Sequence, residues 1–229
     1  AAVAGACGTL RILYWQAVTV LNSHHSQGTK DFDSARLVLE PLIAFNPRGE
    51  AVAVLAAEVP TIANGGVAKD LTTVTWKLKQ GVKWSDGTDF TADDVVFTWK
   101  YASNKDTAAT TSNTFSNIKN AEAVDKNTVK VTWNAPNANP YESFASSLGH
   151  VIQKKQFEPF IGAKAKDGQA LIPVGTGAFK FKEFKPNDVV TFEMNPNYRD
   201  FAKGKPCFKD VTFKGGGDAA SAAKAVFQT

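Results

Sequence analysis

Apolar and polar residues alternate along several stretches of the chain, a pattern typical of antiparallel strands with one exposed face. The alternation is clear over residues 74–78, 121–133 and 179–194. The last two stretches each contain a short polar turn, so they predict β-hairpins. Residues 10–15 (LRILYW) are mostly apolar and predict a buried strand, and residues 211–213 predict one more short strand.

Apolar residues three or four positions apart predict helices elsewhere. Thr91 is placed to cap one helix, with Asp94 at its capping-box position. Ser34 is placed to cap a second helix that ends before residues 46–49, and a third, short helix is expected over residues 141–148. The remaining polar stretches predict loops at residues 16–33, 102–117 and 161–169.

Both ends of the sequence suggest a longer precursor. Residues 1–6 are small, with no initiator Met and no basic residue, as in the remainder of a secretory signal peptide. Asp218 is placed to open a final helix that reaches Thr229 without a Gly, Pro or polar stop signal. We therefore expect the sequence to be the front part of a longer chain.

Composition narrows the class of protein. Of 229 residues, 43% are hydrophobic and 21% are charged, as in an ordinary folded domain. No apolar run approaches the eighteen or so residues that span a membrane. Lys and Arg number 26 against 22 Asp and Glu. Because no block of basic residues occurs, we expect no nucleic-acid partner.

No pattern in the sequence is typical of a metal centre or a catalytic site. His24 and His25 are adjacent, so their side chains would diverge in either a strand or a helix, and His150 stands alone. No Gly-x-Ser-x-Gly elbow supports a Ser-His-Asp catalyst. We therefore expect a non-enzymatic protein with no catalytic residue, no metal and no other cofactor.

Two glycine-rich stretches lack what phosphate binding requires. A strand pattern follows residues 175–177, where a nucleotide loop needs a helix. Residues 215–217 precede a predicted helix but lack the Gly-Lys-Ser/Thr ending. The carboxylates Asp86 and Asp94 are expected to stabilise a turn and a helix start.

Three longer segments carry a resemblance to a known family. They are residues 76–97 (WKLKQGVKWSDGT and, after Asp89, FTADDVVF), residues 173–181 (PVGTGAFKF) and residues 194–198 (MNPNY). In this order and spacing, over nearly the whole chain, they resemble the dipeptide- and oligopeptide-binding proteins of ABC transporters.

The resemblance implies a fold of the α/β class (mixed α+β), namely one lobe of a periplasmic-binding-protein-like clamshell with a mixed sheet. The first lobe would be discontinuous, formed by residues 1–45 and 155–229. A smaller α+β domain, residues 46–154, would be inserted into it. The second, C-terminal lobe would follow residue 229, so it is absent from this sequence.

The resemblance also implies a function. The protein would be the substrate-binding component of an ABC importer, which binds peptides or similar small solutes in a cleft and delivers them to the membrane permease. Such proteins are exported, so we expect it in the periplasm or at the extracellular face of the cell envelope. The alternatives are an exported peptide or amide hydrolase, and an interaction module that exposes a half-cleft to another chain.

Ligand contacts are implied just after the first strand, in a loop of the inserted domain and in the second motif. The residues are Trp15, Gln16, Ala17, Val18, Thr111, Asn113, Thr176 and Gly177. Strand ends and turns offer backbone N–H and C=O groups to a peptide main chain, and Trp15 would add an apolar wall. The alternatives are core packing for Trp15 and a plain turn for residues 176–177.

The chain has two cysteines, Cys7 and Cys207. Cys7 precedes Leu10 by three residues at the start of one strand, and Cys207 precedes Asp210 by three residues at the edge of another. If these strands are adjacent and parallel, equal offsets bring the two side chains together. We predict a disulfide, which export would permit. The alternatives are two free thiols or a lipidated Cys7.

Overall fold

The structure is a computed structural model that describes residues 2–216 and Lys224. Apart from Lys224, the helix predicted from Asp218 lies outside the described residues. The strands are β1 (Thr9–Tyr14), β2 (Ile43–Phe45), β3 (Ala51–Ala53), β4 (Thr73–Lys77), β5 (Ile118–Asp125), β6 (Thr128–Trp133), β7 (Phe179–Lys185), β8 (Val189–Met194) and β9 (Asp210–Gly215). The helices are α1 (Thr29–Ala35), α2 (Ala92–Ser103), α3 (Lys154–Phe157) and α4 (Ala165–Gly168).

A four-stranded mixed sheet joins the beginning of the chain to residues 179–215. Its order is β1-β9-β8-β7, with β1 parallel to β9 and the other neighbours antiparallel. The parallel pair aligns Thr9 with Asp210 and Tyr14 with Gly215, so both carboxyl ends lie at one edge of the sheet. The predicted 179–194 hairpin and the predicted strand at 211–213 are confirmed.

A second, antiparallel sheet has the order β4-β6-β5, and β2 and β3 form a separate hairpin. Along β4 and β6 every second residue is buried, as the alternating pattern predicted. Under this sheet lies one hydrophobic core that contains Trp76, Trp84 and Phe115. A second core, under the four-stranded sheet, contains Phe157, Phe192 and Phe213.

Helix α2 contributes to both cores. Val95 belongs to the core of the three-stranded sheet, whereas Phe97 and Tyr101 belong to the other. The helix begins as predicted, because the Asp94 carboxylate accepts a hydrogen bond from the backbone N–H of Thr91 at 2.9 Å in a capping box. Its two apolar faces therefore hold the two sheets in a fixed relation.

The prediction that residues 10–15 form a buried strand is wrong about burial: strand β1 is present but is not buried. Its residues alternate between exposed and partly buried along the whole strand. It is an edge strand, paired only with β9 among the described strands, and only one of its faces covers the core. The apolar residues of LRILYW are compatible with either an edge strand or a central strand, so the sequence does not distinguish the two.

Two helix predictions are wrong. Helix α1 does not start at Ser34; it contains Ser34 in its last turn, so part of the predicted 16–33 loop is helical. Residues 141–148 contain only the start of a 3-10 turn, Ser147–Gly149. After α1, residues 36–38 form a turn that is hydrogen-bonded back to the helix. The helix does not continue to Leu42, because the carbonyls of Val38 and Glu40 accept hydrogen bonds from Gly177 and Val151 instead of from a further helical turn.

The structure contains the predicted disulfide between Cys7 and Cys207, whose Cα atoms are 5.2 Å apart. The backbone N–H of Cys7 also donates to the Cys207 carbonyl at 2.9 Å. The bond lies at the amino ends of the parallel strands β1 and β9, as the equal offsets required. A cysteine held in this bond has no thiol left for the alternative, a lipid anchor.

We expect the disulfide to add about 2–4 kcal/mol to the free energy of unfolding, because it closes a loop of 200 residues in the unfolded chain. Urea titrations with and without reductant measure the difference. A Cys7→Ala, Cys207→Ala double variant serves as the control, since reductant should not change its midpoint. Two reactive thiols in the unreduced, denatured protein would contradict the bond.

A cluster of buried histidines, His24, His25 and His150, joins the chain after β1 to two distant loops. The Nδ1 atom of His24 lies 2.6 Å from Thr111 Oγ1, and its Nε2 atom lies 2.7 Å from the backbone oxygen of His150. The Nδ1 atom of His150 lies 3.1 Å from Ser23 Oγ. These contacts bring together segments more than eighty residues apart.

Burial sets the protonation state of the cluster. Loss of water lowers the pKa of His24 to about 4 and that of His150 to about 3, and it lowers the pKa of His25 as well. All three side chains are therefore neutral in the folded protein near neutral pH. In the unfolded chain each would take up a proton near its ordinary pKa of 6.5.

The free energy of unfolding should consequently fall as the pH drops below 6.5, because protons then bind the unfolded chain first. Between pH 6.5 and about pH 5 the loss should approach about 2 kcal/mol for each of His24 and His150. Urea titrations across this range measure it, and His24→Gln should make the slope shallower. Asp94 acts in the opposite direction, since burial raises its pKa. A stability that does not depend on pH in this range would contradict the neutral cluster.

Candidate functional site

The segment directly after β1, residues 15–18, lies at the carboxyl ends of β1 and β9. We call it the rim. Trp15 is 51% exposed, so core packing is not its role. Gln16 is exposed, Ala17 is half-buried and the Val18 side chain is buried. The rim passes so close to Gly215 that a Cβ atom there would lie 2.0 Å from the Ala17 nitrogen.

Gln16 and Ala17 line an open pocket of about 230 Å³, which we call the strand-end pocket. Its walls come from the rim, α1, the β7–β8 turn and the residue after β9. The lining residues are Gln16, Ala17, Thr19, Lys30, Asn187 and Gly216. The backbone N–H of Asn187 donates to the Val18 carbonyl at 2.9 Å, which fixes the turn against the rim.

Lys30 and Asp31 form a buried ion pair beside this pocket, 3.0 Å apart. Lys30 also donates to the Thr19 hydroxyl at 2.8 Å. Asp31 is fully buried and accepts hydrogen bonds from the backbone N–H groups of Thr19 at 2.8 Å and Gln27 at 2.9 Å. Sequence reasoning missed both residues, because a Lys-Asp pair in a polar stretch carries no pattern that separates it from surface charges.

Thr111 and Asn113 lie away from the strand-end pocket. Thr111 is buried, and its hydroxyl is engaged with His24. Asn113 is exposed on the 3-10 turn Ser112–Phe115. The structure thus brings Thr111 to the chain after β1, but at His24 and not at the rim.

Thr176 and Gly177 are buried, and neither lines the strand-end pocket. The Thr176 hydroxyl donates to Glu40 at 2.8 Å, and the Gly177 N–H donates to the Val38 carbonyl at 2.9 Å. The Gly177 carbonyl accepts from the Asn195 side chain at 2.8 Å. These polar groups are bonded within the fold, which favours the plain-turn interpretation for this motif.

The three motif segments meet one another. Gly175 accepts a hydrogen bond at its carbonyl from the N–H of Ser85 at 2.9 Å, and the Asn197 side chain donates to the Ser85 carbonyl at 3.0 Å. A Cβ atom on Gly175 would lie 2.0 Å from the Val38 oxygen, so only glycine fits there. We call this contact region the motif seam.

Two carboxylates stabilise the motif seam. Burial opposes the charge of Asp86, but hydrogen bonds from Thr88 and Gln153 outweigh it and hold the Asp86 pKa at about 2. Glu40 accepts two hydrogen bonds from Arg199, at 2.7 and 2.9 Å. The structural role expected for Asp86 is confirmed, because it accepts the N–H of Thr88 within its own turn.

Residues 2–216 contain no group of three or more His, Cys, Asp or Glu side chains arranged to hold a metal ion. Within the same part of the chain, no helix has the length and apolar character to cross a membrane. The exposed chemistry at the rim is instead a tryptophan ring, backbone polar groups and a polar pocket. Such a surface suits reversible binding of a polar solute.

The sequence is similar to those of known solute-binding proteins. The oligopeptide-binding protein AppA of Bacillus subtilis (strain 168) is 28% identical over 200 residues, which are 86% of this chain and 35% of AppA. The glutathione-binding protein GsiB of Salmonella typhi is 31% identical over 148 residues, 65% of this chain and 28% of GsiB. The chain thus spans about a third of the length of these curated relatives.

The fold comparison gives the same answer. The structure of AppA from Bacillus subtilis in complex with a nonapeptide matches with a TM-score of 0.84 at 26% identity, over 98% of this chain and 43% of that one. The predicted fold class, a mixed α/β lobe of the periplasmic-binding-protein type, is confirmed. The family model for bacterial extracellular solute-binding proteins, family 5 Middle, matches residues 53–229. Because that match covers most of the sequence, the chain belongs to the family 5 bacterial extracellular solute-binding proteins.

Proposed function

We propose that the chain is part of the substrate-binding component of an ABC importer, which binds peptides or similar small solutes and delivers them to the membrane permease. The observation that carries the proposal is the rim, where half-exposed Trp15 precedes the polar strand-end pocket at the carboxyl ends of two parallel strands. Crevices at this end of a sheet are the usual ligand sites of open α/β folds.

The names of the relatives support this choice of solute. AppA is an oligopeptide-binding protein, its solved complex contains a nonapeptide, and GsiB is a glutathione-binding protein. Each of these ligands contains amide groups that pair with backbone donors and acceptors. We propose Trp15, Gln16 and Ala17 as contacts. Roles for Val18, Thr111, Asn113, Thr176 and Gly177 remain predictions.

We further propose that residues 1–45 and 155–229 form the first lobe and that residues 46–154 form an inserted domain. The separate cores under the two sheets support this division, with α2 packed between them. A second lobe of the same protein would close over the rim. One lobe alone buries only part of a ligand, so tight binding requires both.

Export is the corresponding proposal for location. A disulfide forms and persists in an oxidising compartment such as the periplasm or the extracellular space. The Cys7–Cys207 bond supports that location, and so does the periplasmic OppA relative of Salmonella typhimurium, 27% identical over 203 residues.

Hydrolysis is the less supported function. Ser23 and His150 lie within hydrogen-bonding distance of each other, but their exposures are 0% and 1%. A serine that a substrate cannot reach does not act as a nucleophile. Incubation with a peptide library would reveal cleavage products if another group acted as a catalyst.

Binding tests the proposal directly. Native mass spectrometry of the intact protein as purified should detect a co-purified solute, and calorimetry with a pool of alanine-based di- to pentapeptides should detect binding. Trp15→Ala should weaken binding about tenfold to a hundredfold, because burial of a large apolar side chain against a ligand is worth about 1.5–3 kcal/mol.

Phe45→Ala is the matched control, since Phe45 is 48% exposed and lies on β2. Its affinity should equal that of the unmodified protein. No solute and no heat of binding with the peptide pool would overturn the proposed function. Equal losses for the two variants would show that Trp15 has no specific role.

A further inference from the structure

We infer that the strand-end pocket is an anion site that receives a carboxylate group of the solute, with Lys30 as its cation. The inference deepens the proposed function and rests on it for the molecule that bears the carboxylate. The pocket itself is argued from the residues that line it.

The lining of the strand-end pocket is rich in hydrogen-bond donors. Gln16 and Asn187 each carry a side-chain amide and Lys30 carries an ammonium group. The Thr19 hydroxyl accepts from Lys30 at 2.8 Å and donates to Asp31, so it is already engaged. No Asp or Glu is among the six lining residues. A cavity with one cation, several neutral donors and no lining acid is chemically complementary to a monoanion.

Lys30 is held in place for this role. Its side chain is 8% exposed, and two of its three N–H bonds are directed to Thr19 Oγ1 and Asp31 Oδ2. Among the described residues the third N–H has no acceptor. A lysine fixed in this way has already lost its rotamer freedom, so binding an anion costs little further entropy.

Asp31 does not compete with an incoming anion. It is fully buried, does not line the pocket, and its oxygens are surrounded by N–H groups from the chain on either side. Those donors are the backbone N–H groups of Thr19 and Gln27 at 2.8 and 2.9 Å, and that of Val20 at 3.4 Å. They share the negative charge of Asp31, and Lys30, which lines the pocket, keeps one N–H without an acceptor among the described residues.

The neighbouring acids also have partners. Asp33 accepts a hydrogen bond from the Tyr14 hydroxyl at 2.9 Å and lies 3.6 Å from Arg36. Asp188, next to Asn187, lies 3.5 Å from Lys214. Among residues 2–216, these acids near the pocket are therefore paired, and a carboxylate in the pocket would not face an unpaired one of them.

The test compares ligands that differ only in charge. The alanine-based di- to pentapeptide pool, with free C-terminal carboxylates, is titrated into the intact protein beside the same pool as C-terminal amides. A third, amidated pool containing one Glu residue per peptide distinguishes a side-chain carboxylate from a terminal one. We expect at least one carboxylate-bearing pool to bind about tenfold more tightly than the uncharged amides.

Two variants assign the preference to the pocket. Lys30→Met should abolish it, but this change leaves Asp31 without its cation and risks misfolding. Gln16→Glu leaves the ion pair intact and places a negative charge on the lining, so it should weaken the acid peptides about tenfold more than it weakens the amides. Gln80→Glu, also an exposed glutamine, is the control and should change nothing.

An independent measurement separates this inference from the proposed function. Acetate is titrated against the intact protein, with sodium chloride as the ionic-strength control, while NMR follows the Lys30 side-chain signal. A saturable acetate shift that Gln16→Glu removes supports the site even if no peptide binds, in which case only the proposed function fails. Acid and amide peptides of equal affinity, or no acetate response, would overturn the site.

Discussion

The parallel pairing of β1 with β9 is the contact on which the rest of the structure depends. It joins residues 9–14 to residues 210–215, and the disulfide between Cys7 and Cys207 lies at its amino end. Because the strands are parallel, their carboxyl ends meet at the opposite edge, where the rim begins. A contact between segments about 200 residues apart in sequence thus forms both the disulfide-bonded end of the sheet and the end proposed to bind the solute.

The sequence motifs that identify the family serve mainly to build this scaffold. The motif seam links the Trp84–Thr88 turn to Gly175 and Asn197 through backbone and amide hydrogen bonds. Val38 and Glu40 accept hydrogen bonds from Gly177 and Thr176, on the other side of the seam. Distinctive residues need not contact a ligand; here they fix the chain segments that carry the two cores.

The surface proposed for binding is correspondingly simple. It consists of the rim with its half-exposed tryptophan, and a small pocket whose walls come from four separate segments. In the proposed function, backbone groups at the rim pair with amides irrespective of side chains, whereas the fixed ammonium group of Lys30 would recognise charge. Together they would favour a polar solute with a carboxylate over an uncharged one.

The sequence by itself determined the elements whose pattern is local. Alternation gave β4, β6 and the β7–β8 hairpin, and the Thr91–Asp94 capping box gave the start of α2, because side-chain periodicity and capping depend on near neighbours. The cysteine offsets required only that two strands be adjacent and parallel.

The tertiary structure decided the rest. The helix does not continue from residues 36–38, which form a turn, to Leu42, because distant segments take the carbonyls of Val38 and Glu40, and the strand-end pocket exists only where residues 16, 30, 187 and 216 meet. Contacts between residues so far apart leave no periodic signal in the chain.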